Sequence, residues 1–195
     1  MRVVAWNGSA RKDGNTAHLL RAVLQELEKA GIETELVQLA GQPLRGCTAC
    51  YRCAERKDRR CAVTSDRLNE HIEKLLAADG ILLGSPTYFT DVSAEMKALI
   101  DRAGMVGKFN GNAYRRKAGA AVVAVRRAGA MHAFDTLNHF FTIAEMIVPG
   151  ASYWNVGIGR NPGEVESDAE GMETMRCLGR NMAWLLERIA GPTGG

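Results

Sequence analysis

The sequence predicts a three-layer α/β sandwich around a five-stranded parallel sheet of order 2-1-3-4-5. Three observations carry this. Short apolar or alternating runs take turns with longer helical patterns along the chain, and each crossover between parallel strands must return through a helix that covers a sheet face. Ala118 to Val125 is a continuous run of small apolar residues, the mark of a strand covered on both faces. The chain has 195 residues, 46% hydrophobic and 24% charged, which suits one sizeable core and would cramp two. One domain over 1–195 is therefore expected, with a cysteine-rich loop inserted at about 41–64.

In order, Val3-Val4-Ala5-Trp6 reads as a strand that breaks at Asn7-Gly8-Ser9, and Leu20, Val23, Leu24 and Leu27 give the following helix its apolar stripe. Gly31 ends that helix, and Ile32 to Leu39 alternates as a half-exposed strand would. Gly41 to Thr64 is irregular. Ser65 or Asp66 can cap a helix carrying Leu68, Ile72, Leu75 and Leu76, which leads through Asp79-Gly80 into the strand Ile81-Leu82-Leu83 and a break at Gly84-Ser85-Pro86. Ser93 begins a helix with Met96, Leu99, Ile100 and Ala103, followed by a polar, Gly-rich stretch from Gly104 to Lys117. After the Ala118–Val125 strand come a helix from about Met131 to Ile147, a strand around Ser152 to Val156, and a long helix bearing Met175, Leu178, Met182, Leu185, Leu186 and Ile189. In the 2-1-3-4-5 order, the direction of winding reverses between the first and third strands, so a ligand is expected at their C-terminal ends.

Composition excludes low-complexity disorder and a sustained heptad repeat. The longest apolar runs fall short of the roughly 18 residues a membrane span needs, and MRVVAWNGS lacks the flanks of a signal peptide, so a cytoplasmic protein without membrane attachment is expected. The balance of 25 Lys+Arg against 22 Asp+Glu leaves +3, too small and scattered to point to nucleic acid. Four of the five cysteines lie between positions 47 and 61, which in a reducing compartment points to metal or redox chemistry before disulfides.

Two loops fall at the expected crevice. Gly8-Ser9-Ala10-Arg11-Lys12-Asp13-Gly14-Asn15-Thr16 runs into a helix N-terminus, whose free N–H groups and dipole suit a phosphate. It has neither the G-K-[ST] ending of a nucleotide-triphosphate loop nor a G-x-G-x-x-G pattern, and the same residues also suit a plain helix-capping loop. Ser85-Pro86-Thr87-Tyr88-Phe89-Thr90-Asp91 offers adjacent aromatics beside a proline, either the wall of a pocket for a planar ring or a cover for the sheet edge.

G-S-A-R-K-D-G-N-T, then G-S-P-T-Y-F, then S-A-E-M-K-A-L-I-D-R resemble the flavodoxin-like NAD(P)H-dependent FMN reductases, and especially their iron–sulfur flavoprotein branch. The resemblance runs from about Val3 to the final strand. It implies an FMN-dependent oxidoreductase, with Ser9, Arg11, Asn15 and Thr16 on the FMN phosphate. Pro86, Thr87, Tyr88 and Phe89 would line the ribityl chain and ring, and the turn from Arg126 to Gly129 would complete the ring pocket. Arg126 and Arg127 are less typical of the pattern: a cation there could stabilise a reduced flavin, or point into solvent. The flavin carries the chemistry, so no catalytic side chain is expected.

The spacing Cys47-x2-Cys50-x2-Cys53-x7-Cys61 lets tight turns aim successive sulfurs inward, with the last cysteine closing the site. Zinc, which usually takes two separated C-x-x-C knuckles, fits less well. The resemblance implies a [4Fe–4S] cluster on these four residues, although related flavin reductases keep such cysteines without one. The charged run Glu55 to Arg60 is either a solvated loop or a dock for an acidic electron-transfer partner.

His18, His71, His132 and His139 show no ligand spacing, and Cys177 stands alone as a packing residue. Leu137, Phe140, Phe141, Ile143, Ala144, Met146 and Ile147 crowd beyond a single stripe, which favours a homo-oligomer, a dimer or tetramer. Three functions stay open: a reductase taking electrons from NAD(P)H, or from a ferredoxin-like donor through the cluster, to a small-molecule acceptor; a non-enzymatic carrier of flavodoxin type; and a cysteine-loop redox or metal sensor. The mildly basic charge weighs against the carrier.

Overall fold

A computed structural model describes residues 1–41 and 43–190. Strand β1 (Arg2–Asn7) leads into helix α1 (Asn15–Lys29), β2 (Glu33–Gln38), a short α2 (Arg52–Arg56) and α3 (Leu68–Ala77). There follow β3 (Gly80–Pro86), α4 (Ala94–Phe109), β4 (Ala118–Val125), α5 (Ala130–Ile143), β5 (Val156–Ile158), a 3-10 turn (Glu164–Ser167) and α6 (Ala169–Ile189). The five strands form one parallel sheet in the order β2-β1-β3-β4-β5, as the sequence predicts.

Strand alternation assigns side chains to two cores. Val3 and Ala5, with Leu82, Ala120 and Val122, face α1 and α6. Val4 and Trp6, with Ile81, Leu83, Ala121 and Val123, face α3, α4 and α5. Every residue of β4 is buried, which accounts for its unbroken apolar run. On the second face Trp6 donates its indole N–H to His71 Nδ1 at 3.3 Å, and burial holds the His71 pKa below its ordinary value, so the ring is kept neutral.

Three expectations shift. The irregular loop contains α2, packed on α4. The helix expected to reach Ile147 ends at Ile143, because Glu145 takes a left-handed conformation (φ 56°) and Met146 turns back to donate to Phe141 O at 3.0 Å. The last strand is Val156–Ile158 rather than 152–156, since Asn155 caps the neighbouring ladder from outside the strand, its amide donating to Ala121 O while its carbonyl accepts from Val123 N–H.

Candidate functional site

At the C-terminal end of the sheet, β1 and β3 diverge beyond the pair Asn7 and Gly84, and Gly8 N–H still donates to Gly84 O at 2.8 Å. The chain then turns through the first loop. Asn7 fixes that turn from below: its Oδ1 accepts from Ser9 N–H at 3.1 Å, and its amide donates to Gln38 Oε1 at 2.7 Å. Gln38 in turn donates to Ser9 O at 2.7 Å, so β2 braces the loop. Ser9 Oγ accepts from Arg11 N–H at 3.1 Å, and Gly14 enters α1 with no side chain capping the helix. With no acidic residue in its first turn, α1 presents an uncompensated positive end.

A cleft of about 210 Å³ opens there. Its lining includes Ser9, Arg11, Asn15, Thr16, Pro86, Thr87, Tyr88 and Arg126, so the structure brings eight of the nine expected residues to one wall or another. Phe89 is the exception. It lies outside the lining and its side chain is fully exposed.

Thr87 is held by β4, its N–H donating to Ala124 O at 2.8 Å and its hydroxyl to the same oxygen at 3.2 Å. Tyr88 and Asp91 then exchange backbone hydrogen bonds of 2.8 and 3.0 Å around Phe89 and Thr90, whose φ values are 47° and 68°. This is a type I′ turn made without the Asn-Gly pair that such turns prefer, and a β-branched residue at positive φ is strained. Gly129 begins α5 at φ 87° directly against Thr90, where a Cβ would meet the Thr90 Cγ2 at 2.9 Å.

Sequence reasoning missed Gly159 and Arg160, which close the cleft from the loop after β5. Their loop is latched to α1. Arg11 donates to Arg160 O at 3.4 Å, Val165 N–H donates to Asn15 Oδ1 at 3.3 Å, and His18 pairs with Glu166 at 2.7 Å. At Gly159 a Cβ would sit 2.7 Å from Val165 N and 2.8 Å from Asn15 Nδ2, so only glycine permits the approach. No local pattern signals a residue some 150 positions from the loop it completes. The lining carries three arginines, Arg11, Arg126 and Arg160, and no carboxylate, so the cleft favours an anion. An uncapped helix end, cations, a hydroxyl-bearing loop and an aromatic wall fit the phosphate and the planar ring of FMN.

None of the cysteines lines that cleft. Cys47 and Cys50 are exposed, Cys61 is partly buried, and Cys53 is buried against the core on the α3–α4–α5 face. Ala49 and Tyr51, either side of Cys50, both take left-handed φ (51° and 57°), which turns successive N–H groups to one side. Two of the four sulfurs accept an N–H hydrogen bond. Ala49 N–H donates to Cys47 Sγ at 3.4 Å and Arg102 Nε–H to Cys61 Sγ at 3.2 Å. The backbone N–H of Arg52, with the Thr48 hydroxyl, holds the Cys50 thiol below its ordinary pKa. Burial pushes Cys53 up, against the Cys53 and Ala54 N–H groups. Among the described residues no three potential ligands converge as a metal site. Four cysteines within fifteen positions nonetheless supply the ligand type of a thiolate-bound iron–sulfur cluster.

Residues 1–161 match the family of NADPH-dependent FMN reductases. The chain is 38% identical to an iron–sulfur flavoprotein of Methanocaldococcus jannaschii, over 97% of this chain and 99% of that protein. It is 32% identical to an iron–sulfur flavoprotein of Methanosarcina thermophila, over 97% of each. Among solved structures, a WrbA-like flavodoxin from Agrobacterium tumefaciens superposes with a TM-score of 0.67 at 16% identity, covering 96% of this chain and 97% of that one. An NAD(P)H:quinone oxidoreductase from Methanothermobacter marburgensis does so with a TM-score of 0.67 at 16% identity, covering 93% and 96%. At that identity these two structures speak for the flavodoxin-like fold.

Proposed function

The chain belongs to the NADPH-dependent FMN reductase family, and from that premise we propose that it is a single-domain oxidoreductase holding FMN in the cleft between β1 and β3. The observation that carries this reading is the cleft itself: an uncapped helix N-terminus and three arginines at the point where the sheet's winding reverses, next to an aromatic strand end. Bound there, FMN supplies the redox chemistry, exchanging electrons between a nicotinamide donor and a small-molecule acceptor such as a flavin, a quinone or a metal ion.

The protein's part is binding and orientation. Ser9, Arg11 and Thr16 hold the phosphate at the positive end of α1, and Asn15 holds the Gly159–Val165 loop against it. Pro86, Thr87 and Tyr88 line the ribityl chain and ring. Phe89, exposed on its turn, covers the ring only if the turn moves. Arg126 stands where a cation favours electron density on the ring, and Arg160 adds a further positive group at the mouth.

Cys47, Cys50, Cys53 and Cys61 hold a [4Fe–4S] cluster in this reading. The support is the N–H donors to the Cys47 and Cys61 sulfurs and the names of the relatives. A cluster held by these cysteines would offer single electrons a route from a ferredoxin-like donor. A homo-oligomer follows from apolar side chains left exposed at and beyond the end of α5, among them Ile143 at 67% and Val148 at 40%.

One experiment separates the readings. The protein is purified anaerobically, its spectrum recorded, its iron and sulfide measured after reconstitution, and its reduction by NADH, NADPH and reduced ferredoxin followed by stopped flow. A yellow protein reduced by a nicotinamide supports the reductase. A colourless chain that does not take up FMN rejects it, and reduction by ferredoxin alone favours the relay.

A further inference from the structure

Arg102 is an arginine with 1% of its side chain exposed, on the helix that supports the cysteine loop. It belongs neither to the cleft nor to the expected ligand set. Its position on α4 explains the burial: it follows Leu99 by three residues and so sits on the stripe of Met96, Leu99, Ala103 and Val106 that faces inward. A lone guanidinium there would be costly, and four of its five N–H donors are hydrogen-bonded. Nη1 donates to Asp66 Oδ2 at 2.5 Å and to Arg45 O at 3.0 Å, Nη2 donates to Val63 O at 2.9 Å, and Nε donates to Cys61 Sγ at 3.2 Å.

The partners share a pattern. Arg45 lies two residues before Cys47 and Val63 two residues after Cys61, so one planar group ties both ends of the cysteine loop to one point on α4. Asp66 completes the tie, its carboxylate accepting from Arg45 N–H at 3.0 Å and Leu68 N–H at 3.1 Å. Lysine could not replace this fork, since a single ammonium reaches fewer acceptors from one centre. A structural ion pair alone would need only Asp66. The Nε–H aimed at sulfur is the excess that asks for another role.

We propose that Arg102 is the positioning residue of the cysteine loop: it fixes the loop's two ends and, through its Nε–H to Cys61 Sγ, raises the reduction potential of the cluster those cysteines hold. The inference rests on the cluster reading above. Reduction adds negative charge to the cluster and its sulfurs, and a buried cation with an N–H···S hydrogen bond stabilises that charge more than the oxidised state.

The test compares wild type with Arg102→Lys, which keeps a cation opposite Asp66 but loses the fork. Both are reconstituted anaerobically with iron and sulfide, and three quantities are read: flavin per chain, iron lost to a chelator, and the cluster's midpoint potential in a dye-mediated titration. The variant should keep its flavin and lose iron roughly 10- to 100-fold more readily. Its reduction equilibrium should move toward the oxidised side by about tenfold, equivalent to 59 mV for one electron. If wild type takes up no iron and sulfide, the cluster reading fails and this proposal with it, while the flavin reading stands. If wild type holds the cluster and the variant matches it in retention and potential, the proposal alone is overturned.

A second measurement needs no variant. In wild type labelled with 15N at the arginine guanidino groups, pulsed EPR of the reduced cluster should reveal a nitrogen coupling, because Arg102 alone among the described arginine side chains donates to a cysteine sulfur. Absence of that coupling in a protein holding the cluster also overturns the proposal.

Discussion

Arg11 and Thr16 line the cleft from the loop and first turn of α1, and a hydrogen bond to a charged group contributes about 1.5–3 kcal/mol. Arg11→Ala should therefore weaken FMN binding by roughly 10- to 100-fold while leaving riboflavin binding unchanged, measured by quenching of flavin fluorescence. Equal loss for both ligands would mean that Arg11 does not read the phosphate. His71 gives a prediction in pH. Burial depresses its folded pKa below the unfolded value of about 6.5, so the unfolded chain binds the extra proton first. The stability His71 gives by staying neutral is full above that value and is lost as pH falls below it toward the folded pKa. Urea midpoints followed by tryptophan fluorescence should drop through this window, and His71→Asn, which keeps an acceptor for the Trp6 indole N–H, should flatten the drop. Site residues beside a strand end were legible because the loop residues and the topology name the same place. Arg160 was not, since its contacts depend on folding across the chain. Arg102 did carry a signal, a charge falling on an apolar helical stripe, which tells of burial but not of the partner.

The Tyr88–Asp91 turn shows what an element can store. Two non-glycine residues at positive φ each cost on the order of 1–3 kcal/mol. Phe89→Asn with Thr90→Gly supplies the pair a type I′ turn prefers and should stabilise the chain by about 1 kcal/mol or more, a rise of about 2–4 °C per kcal/mol for a protein of this size. Calorimetry checks this. A lowered midpoint would show that the Phe89 side chain contributes more than the strain removes. Strands and long helices were readable because each satisfies its period over many residues, as β4 does with every position buried. The short pieces were not. α2 spans five residues between cysteines, and β5 has three, too few for any period to register.

At the scale of the whole molecule, the exposed apolar side chains at and beyond the end of α5 bear on assembly. Ile143→Glu should leave flavin content unchanged and shift the sedimentation coefficient from oligomer to monomer, and a wild-type chain that sediments as a monomer rejects the oligomer. The latch between the start of α1 and the loop after β5 concerns time rather than space. Val165 N–H reaches Asn15 Oδ1 across 150 positions of chain, and Arg160 reaches Arg11 across 149. A ribosome releases the phosphate loop about 150 positions before its closing wall. The nascent chain thus carries an open half-site while those positions are made, and the proposed FMN site closes only after residues 159–165 have emerged. Tight flavin retention, in the reading proposed above, then reports that both the loop before α1 and the loop after β5 have been made and have met.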